Sequence, residues 1–106
     1  MLNDSLFVSD AVVARQVKLA DGSEHTLYFK EIPAIDFRKF YIAEQSDDED
    51  IKATSMAKLI VASMCNQDGS PAITLKQALK LKGSAMNAIV GAVMDINGFG
   101  NEAKNA

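Results

Sequence analysis

Tryptophan is absent from this chain of 106 residues, and cysteine and histidine occur once each, as Cys65 and His25. A single thiol cannot close an internal disulfide, and such sparing use of cysteine fits a reducing compartment. One Cys and one His far apart in sequence cannot supply the ligand set of a zinc site. Nucleophilic catalysis is equally short of parts. His25 falls in a strand-like segment, and nothing in the sequence gathers a nucleophile and an orienting group around it. Cys65 ends an apolar run, where a thiol acts as a small hydrophobe rather than a reactive thiolate. No catalytic residue, metal ligand or cofactor is expected.

Long hydrophobic runs are missing too. The longest nearly continuous one, MAKLIVASMC (56–65), is half of the ~20 residues a membrane-spanning helix needs. The opening residues lack a basic segment leading into an apolar one, so no secretory signal and a cytoplasmic location are expected. Basic charge is scarce: 11 Lys and Arg against 14 Asp and Glu leave a net charge of −3. Nucleic acid, whose phosphates demand a basic footprint, is therefore a poor partner. The glycines at 91, 98 and 100 follow no strand and form no phosphate cradle. Asp47, Asp48, Glu49 and Asp50 lack the spaced oxygen ligands and central glycine of a calcium loop. They read as a solvated helix start, where carboxylates meet the partial positive charge of the helix.

What is present describes one α+β domain, an N-terminal antiparallel β-hairpin packed on a bundle of about four α-helices. Residues 1–11 read as a flexible arm, with Leu6, Phe7 and Val8 as an anchor for docking on the domain or on a partner. The domain spans 12–98, and 99–106 form a polar tail. A hairpin over 12–31 turns around Asp21-Gly22-Ser23. A two-residue Asp-Gly loop would set Val17 opposite Thr26 and mix apolar with polar on each face. A loop one residue longer sets Val17 opposite Leu27 and Arg15 opposite Phe29, with Val13 and Leu19 on that same face. One buried face requires the longer loop, since a one-residue slip inverts the pattern.

Pro33 suits the opening of a first helix over about 34–45, which is expected to bury Phe37 and Tyr41 against the hairpin. A second helix, about 50–66, is apolar nearly all round, through Ala53, Met56, Ala57, Leu59, Ile60, Val61, Met64 and Cys65. It reads as the central element of the domain or as partly facing a partner. A turn cluster at Asn66–Pro71 stops it. Thr74 and Gln77 match a capping box for a third helix over about 75–82. Ser84 is the expected cap of a fourth, about 84–97, with an apolar stripe at Met86, Ile89, Val90, Val93 and Met94 and Gly98 just past its end. The two short helices around Gly83 also fit a helix-turn-helix, so a small DNA-binding regulator is an alternative. Against it, the fourth helix offers Ser84, Asn87 and Asp95 and no Lys or Arg.

The stretch DGSPAITLKQALKLKGSAMNAIVGAVMDINGFG (68–100) resembles the C-terminal part of the tail assembly chaperones of long-tailed bacteriophages and their prophages. The order of motifs extends the resemblance over roughly 12–104: a strand pair around Asp-Gly, a helix opening as IPAIDFRKF (32–40), an acidic break, and an apolar helix ending in a DG-containing turn. A lysine-rich helix and a helix running into Asn97-Gly98 close it. The resemblance implies a non-enzymatic protein of the bacterial host cytoplasm. It would bind the tape measure protein and tail tube subunits during tail morphogenesis and be missing from the mature virion. A structural tail component is the other alternative. The family commonly makes a longer product by a minus-one ribosomal frameshift, and Ala103-Lys104-Asn105 can be encoded as GCA AAA AAC, which contains a slippery heptamer. The expected partner-binding residues are Met56, Leu59, Val61, Met64 and Phe99. Self-association is expected through the second helix or the hairpin edges.

Overall fold

The computed structural model describes residues 2–99. The order of elements is β1 (Val13–Lys18), β2 (Glu24–Phe29), α1 (Ala34–Glu44), α2 (Glu49–Ser63), β3 (Met64–Cys65), α3 (Leu75–Ala78) and α4 (Gly83–Ile96), and a 3-10 turn at Asp4–Leu6 precedes them. The fold is α+β, with an antiparallel sheet in the order β1-β2-β3.

The hairpin keeps the predicted face and changes the predicted partners. Val13, Arg15 and Val17 stand opposite Phe29, Leu27 and His25. Leu19 donates its amide to the Ser23 carbonyl at 2.9 Å, so the three-residue loop is Ala20-Asp21-Gly22 rather than Asp21-Gly22-Ser23. Parity is preserved because the register moves by two residues, leaving Val17 and Phe29 buried on one face. The local cause is Asp21, whose Oδ1 accepts from the Ser23 amide at 2.9 Å and from its hydroxyl at 2.6 Å. Gly22 supplies the required left-handed backbone at φ +89°. The same tripeptide repeats this geometry at Asp68-Gly69-Ser70, with an amide contact of 2.9 Å and Gly69 at φ +88°.

α2 is the central element, lying against α1, α3, α4 and β3. It starts where Asp48 caps the amides of Asp50 and Ile51, consistent with an acidic helix start. It ends at Ser63, earlier than expected, because Met64 and Cys65 turn extended and pair with Phe29 and Tyr28 of β2. Ala57, Leu59 and Ile60 are buried, and join Val17, Phe29, Ile32, Phe37, Ile89, Val90 and Val93 in the core. Burying a side chain of the Phe29, Ile60 or Val93 kind stabilises by about 1.5–3 kcal/mol each.

α1 departs from expectation in its packing. Its main partner is α2, not the hairpin, so Phe37 is buried while Tyr41 is 46 % exposed. Thr74 and Gln77 make the reciprocal bonds of a capping box, and α3 is a single turn. α4 begins one residue before Ser84, with Lys82 in the capping position and no side-chain cap. Its last turn is closed by Gly98 at φ +87°.

Candidate protein-binding surface

The surface is set by what α1 leaves outward. Packing on α2 consumes the side of α1 that carries Phe40 and Ala43, which line a groove of about 130 Å³ together with Asp36, Lys39, Ser55, Lys58, Leu59 and Ala62. Ala34, Ile35, Arg38, Lys39, Tyr41 and Ile42 are left in solvent.

Phe99 extends this face. The backbone bends after α4, and Asn97 secures the bend from both ends of its side-chain amide. Its Oδ1 accepts the Ile32 amide at 3.0 Å and its Nδ2 donates to the Val93 carbonyl at 2.8 Å. Phe99 then tilts on Phe37 with ring centroids 4.7 Å apart. A groove of about 500 Å³ runs over Phe37, Arg38, Tyr41, Ile42 and Phe99. A second concavity, of about 200 Å³, shares Ala34, Phe37 and Phe99 with it and continues to Leu6, Phe7 and Val8 of the arm. The arm is hydrogen-bonded to the domain where the Ser9 amide donates to Glu31 Oε1 at 2.8 Å. Arm and α1 therefore form one continuous strip in which Leu6, Phe7, Val8, Tyr41 and Ile42 are all exposed, interleaved with the polar Ser5, Glu31, Arg38, Gln45 and Asn97. A strip of this kind marks an interaction site more often than an ordinary surface.

The five residues expected from sequence do not meet on one face. Phe99 lies in the strip, and Leu59, only 3 % exposed, reaches the neighbouring α1–α2 groove. Met56 and Met64 are half-buried against the core, and Val61 is half-buried on α2. Sequence reasoning missed Tyr41 and Ile42 as surface residues because α1 was oriented on the hairpin.

Other candidate chemistry is sparse. His25 is exposed, with Nε2 3.1 Å from Ser23 Oγ. Cys65 is buried, and burial pushes its thiol up. Among the described residues no cluster of three His, Cys, Asp or Glu could hold a metal, and no helix is long and apolar enough to cross a membrane. α3, at four residues, is too short for the first helix of a DNA-reading pair. α4 points Ala85, Ile89, Val90 and Val93 into the core and leaves Ser84, Asn87, Gly91 and Asp95 outside, which offers phosphate no cation. The codons proposed for frameshifting, at Ala103-Lys104-Asn105, lie outside the described residues.

The family profile described as phage tail assembly chaperone, TAC, matches residues 1–97. No curated protein and no solved structure matches the chain. The profile starts at residue 1, so it takes in the arm that the motif order, beginning near residue 12, left aside. With more than nine-tenths of its length matched, the chain belongs to the phage tail assembly chaperone family.

Proposed function

We propose that this chain holds apolar helical segments of the tape measure protein, and tail tube subunits, while the tail is built in the host cytoplasm. It then leaves, and is missing from the finished virion. The observation that carries this reading is the strip from Leu6 and Phe7 across Phe99 and Phe37 to Tyr41 and Ile42. A chaperone must expose apolar surface to shield that of a client, and among the described residues half of the exposed large apolar side chains, Leu6, Phe7, Val8, Tyr41 and Ile42, lie there. The strip is broad and shallow, which suits many similar segments better than one tightly specified ligand. Phe99 acts within it and Leu59 at the adjoining groove, while Met56, Val61 and Met64 lend deformable packing beneath neighbouring surface. The non-enzymatic role follows from the same reading. Co-expression with the tape measure protein tests it: the soluble fraction of that protein rises several-fold with this chain present, and an unchanged fraction counts against the proposal. Its recovery in purified virions would instead favour a structural tail component.

A further inference from the structure

We infer that Asn97-Gly98 is a site of spontaneous deamidation, that the bend presenting Phe99 holds the reaction off, and that the reaction dismantles the bend once it occurs. The sequence supplies the reactants. A glycine after asparagine leaves the next backbone nitrogen with no Cβ beside it, and lets the backbone carry that nitrogen onto the asparagine side chain. The Gly98 nitrogen attacks Cγ of Asn97, an N–Cγ bond forms, and the nitrogen's proton passes to water. The Cγ–Nδ2 bond breaks and the side-chain nitrogen leaves as ammonia, closing a cyclic imide. Water then opens the imide at either carbonyl, giving aspartate or isoaspartate.

The fold withholds each reactant. Oδ1 of Asn97 accepts the Ile32 amide at 3.0 Å, and Nδ2 donates to the Val93 carbonyl at 2.8 Å. The Gly98 amide donates to the Asp95 carbonyl at 3.1 Å. Turning Cγ onto the Gly98 nitrogen breaks both side-chain bonds, so the imide forms in molecules whose bend has opened. Gly98 is exposed and Asn97 half-buried at the end of α4, where a helix opens at least cost. Asn66 and Asn87 are also exposed, but Gln67 and Ala88 follow them, and a Cβ crowds the attacking nitrogen. Both products spoil the clamp. Aspartate keeps an acceptor for Ile32 but sets a second oxygen against the Val93 carbonyl, where a donor stood. Isoaspartate runs the backbone through Cβ and Cγ, and the extra carbon displaces Phe99 from its place 4.7 Å from Phe37. Either product makes a chain of net charge −3 more acidic by one charge. The strip therefore ages irreversibly while its Phe99 end is open and is preserved while that end is closed.

Incubation of the whole wild-type chain at mildly alkaline pH, with peptide mapping by mass spectrometry over time, tests this without any client. In concentrated urea, Asn97 is expected to convert about tenfold faster than Asn66 or Asn87, for want of a Cβ on the residue that follows it. In the native chain its conversion should slow by about tenfold or more, in proportion to the rarity of the open bend. Phe99→Ala removes the Phe37 contact and leaves Asn97-Gly98 in place. With its far-ultraviolet circular dichroism retained, that variant is expected to convert several-fold faster than the native wild type. The deamidated fraction, separated from its parent by anion exchange, should show faster hydrogen exchange at Ile32, in its isoaspartate form above all. Equal conversion of Asn97, Asn66 and Asn87 in urea overturns the inference. So does a native rate equal to the rate in urea, a folded Phe99→Ala that converts no faster than wild type, or a deamidated fraction that keeps the parent's exchange at Ile32.

Discussion

Ser63 and Lys30 exchange two hydrogen bonds across 33 residues of chain. The Lys30 amide donates to the Ser63 carbonyl at 3.0 Å, and the Ser63 hydroxyl donates to the Lys30 carbonyl at 2.8 Å. This pair fastens the end of α2 to the end of β2, at the point where helix gives way to β3. Ser63 is fully buried, so Ser63→Ala leaves the Lys30 carbonyl short of its donor at a cost of about 1–3 kcal/mol. Thermal unfolding should fall by roughly 4–8 °C per kcal/mol. Ser55→Ala is the control: its hydroxyl bonds the Lys52 carbonyl three residues back, which stays within the helix ladder, so the loss should be smaller. Equal losses at the two serines would contradict this assignment.

Asn97 positions Phe99 by tying α4 to the entry of α1. Asn97→Ala removes the acceptor of the Ile32 amide, with a cost of about 1–3 kcal/mol, and loosens the Phe37–Phe99 contact. Hydrogen exchange at Ile32 should accelerate strongly in Asn97→Ala and much less in Asn97→Asp, which keeps the acceptor. Similar rates in both variants would show that the side-chain oxygen is not what protects Ile32.

Two caps can be told apart by substitution. Thr74 Oγ1 accepts the Gln77 amide at 3.2 Å, and Gln77 Oε1 accepts the Thr74 amide at 2.9 Å. Thr74→Ala should cost about 1 kcal/mol. Ser84→Ala should be nearly neutral, because α4 is entered from Lys82 without a side-chain cap. Chemical denaturation of the two variants measures the contrast.

Much of this architecture is legible in the residues, and the misreadings have local causes. The buried hairpin face follows from Val17, Leu27 and Phe29 alternating in period two, but the Asx turn at Asp21 shifts the partners by two residues. The capping box at Thr74 is local chemistry and reads directly. Met64 and Cys65 continue the apolar pattern of α2, and only the open side of β2 draws them into a strand. A strand of two residues has no period to detect. The side of α1 that faces solvent depends on whether it packs on the hairpin or on α2, and Phe37 and Tyr41 alone do not decide that. The strip inherits this ambiguity, since it joins Leu6, Phe99 and Tyr41 from three distant stretches of chain.

Acid and base should act at different places. Burial raises the Cys65 thiol above its ordinary value, so the unfolded chain loses that proton first as pH rises. The stability associated with Cys65 is thus fully present below about pH 8.5 and is lost as pH climbs through the folded value. Thiol-specific labelling at pH 8 should be slow in the folded protein and rise sharply on unfolding. Asp21 and Asp68 move the other way, lowered chiefly by the Ser23 and Ser70 hydroxyls that bond them. Their turns should hold above the ordinary carboxylate range and weaken as pH falls through the lowered values. Nuclear magnetic resonance titration of the two carboxyl groups would reveal this, and ordinary midpoints for both would contradict it.

The most direct test of the central claim is the soluble yield of the tape measure protein co-expressed with the wild-type chain or with Tyr41→Asp. Tyr41 lies on the strip, 46 % exposed and outside the core cluster, so the variant should fold. The account predicts a several-fold rise in soluble tape measure protein with the wild type and a return toward the uncomplemented level with Tyr41→Asp. Equal rescue by a folded Tyr41→Asp would contradict it.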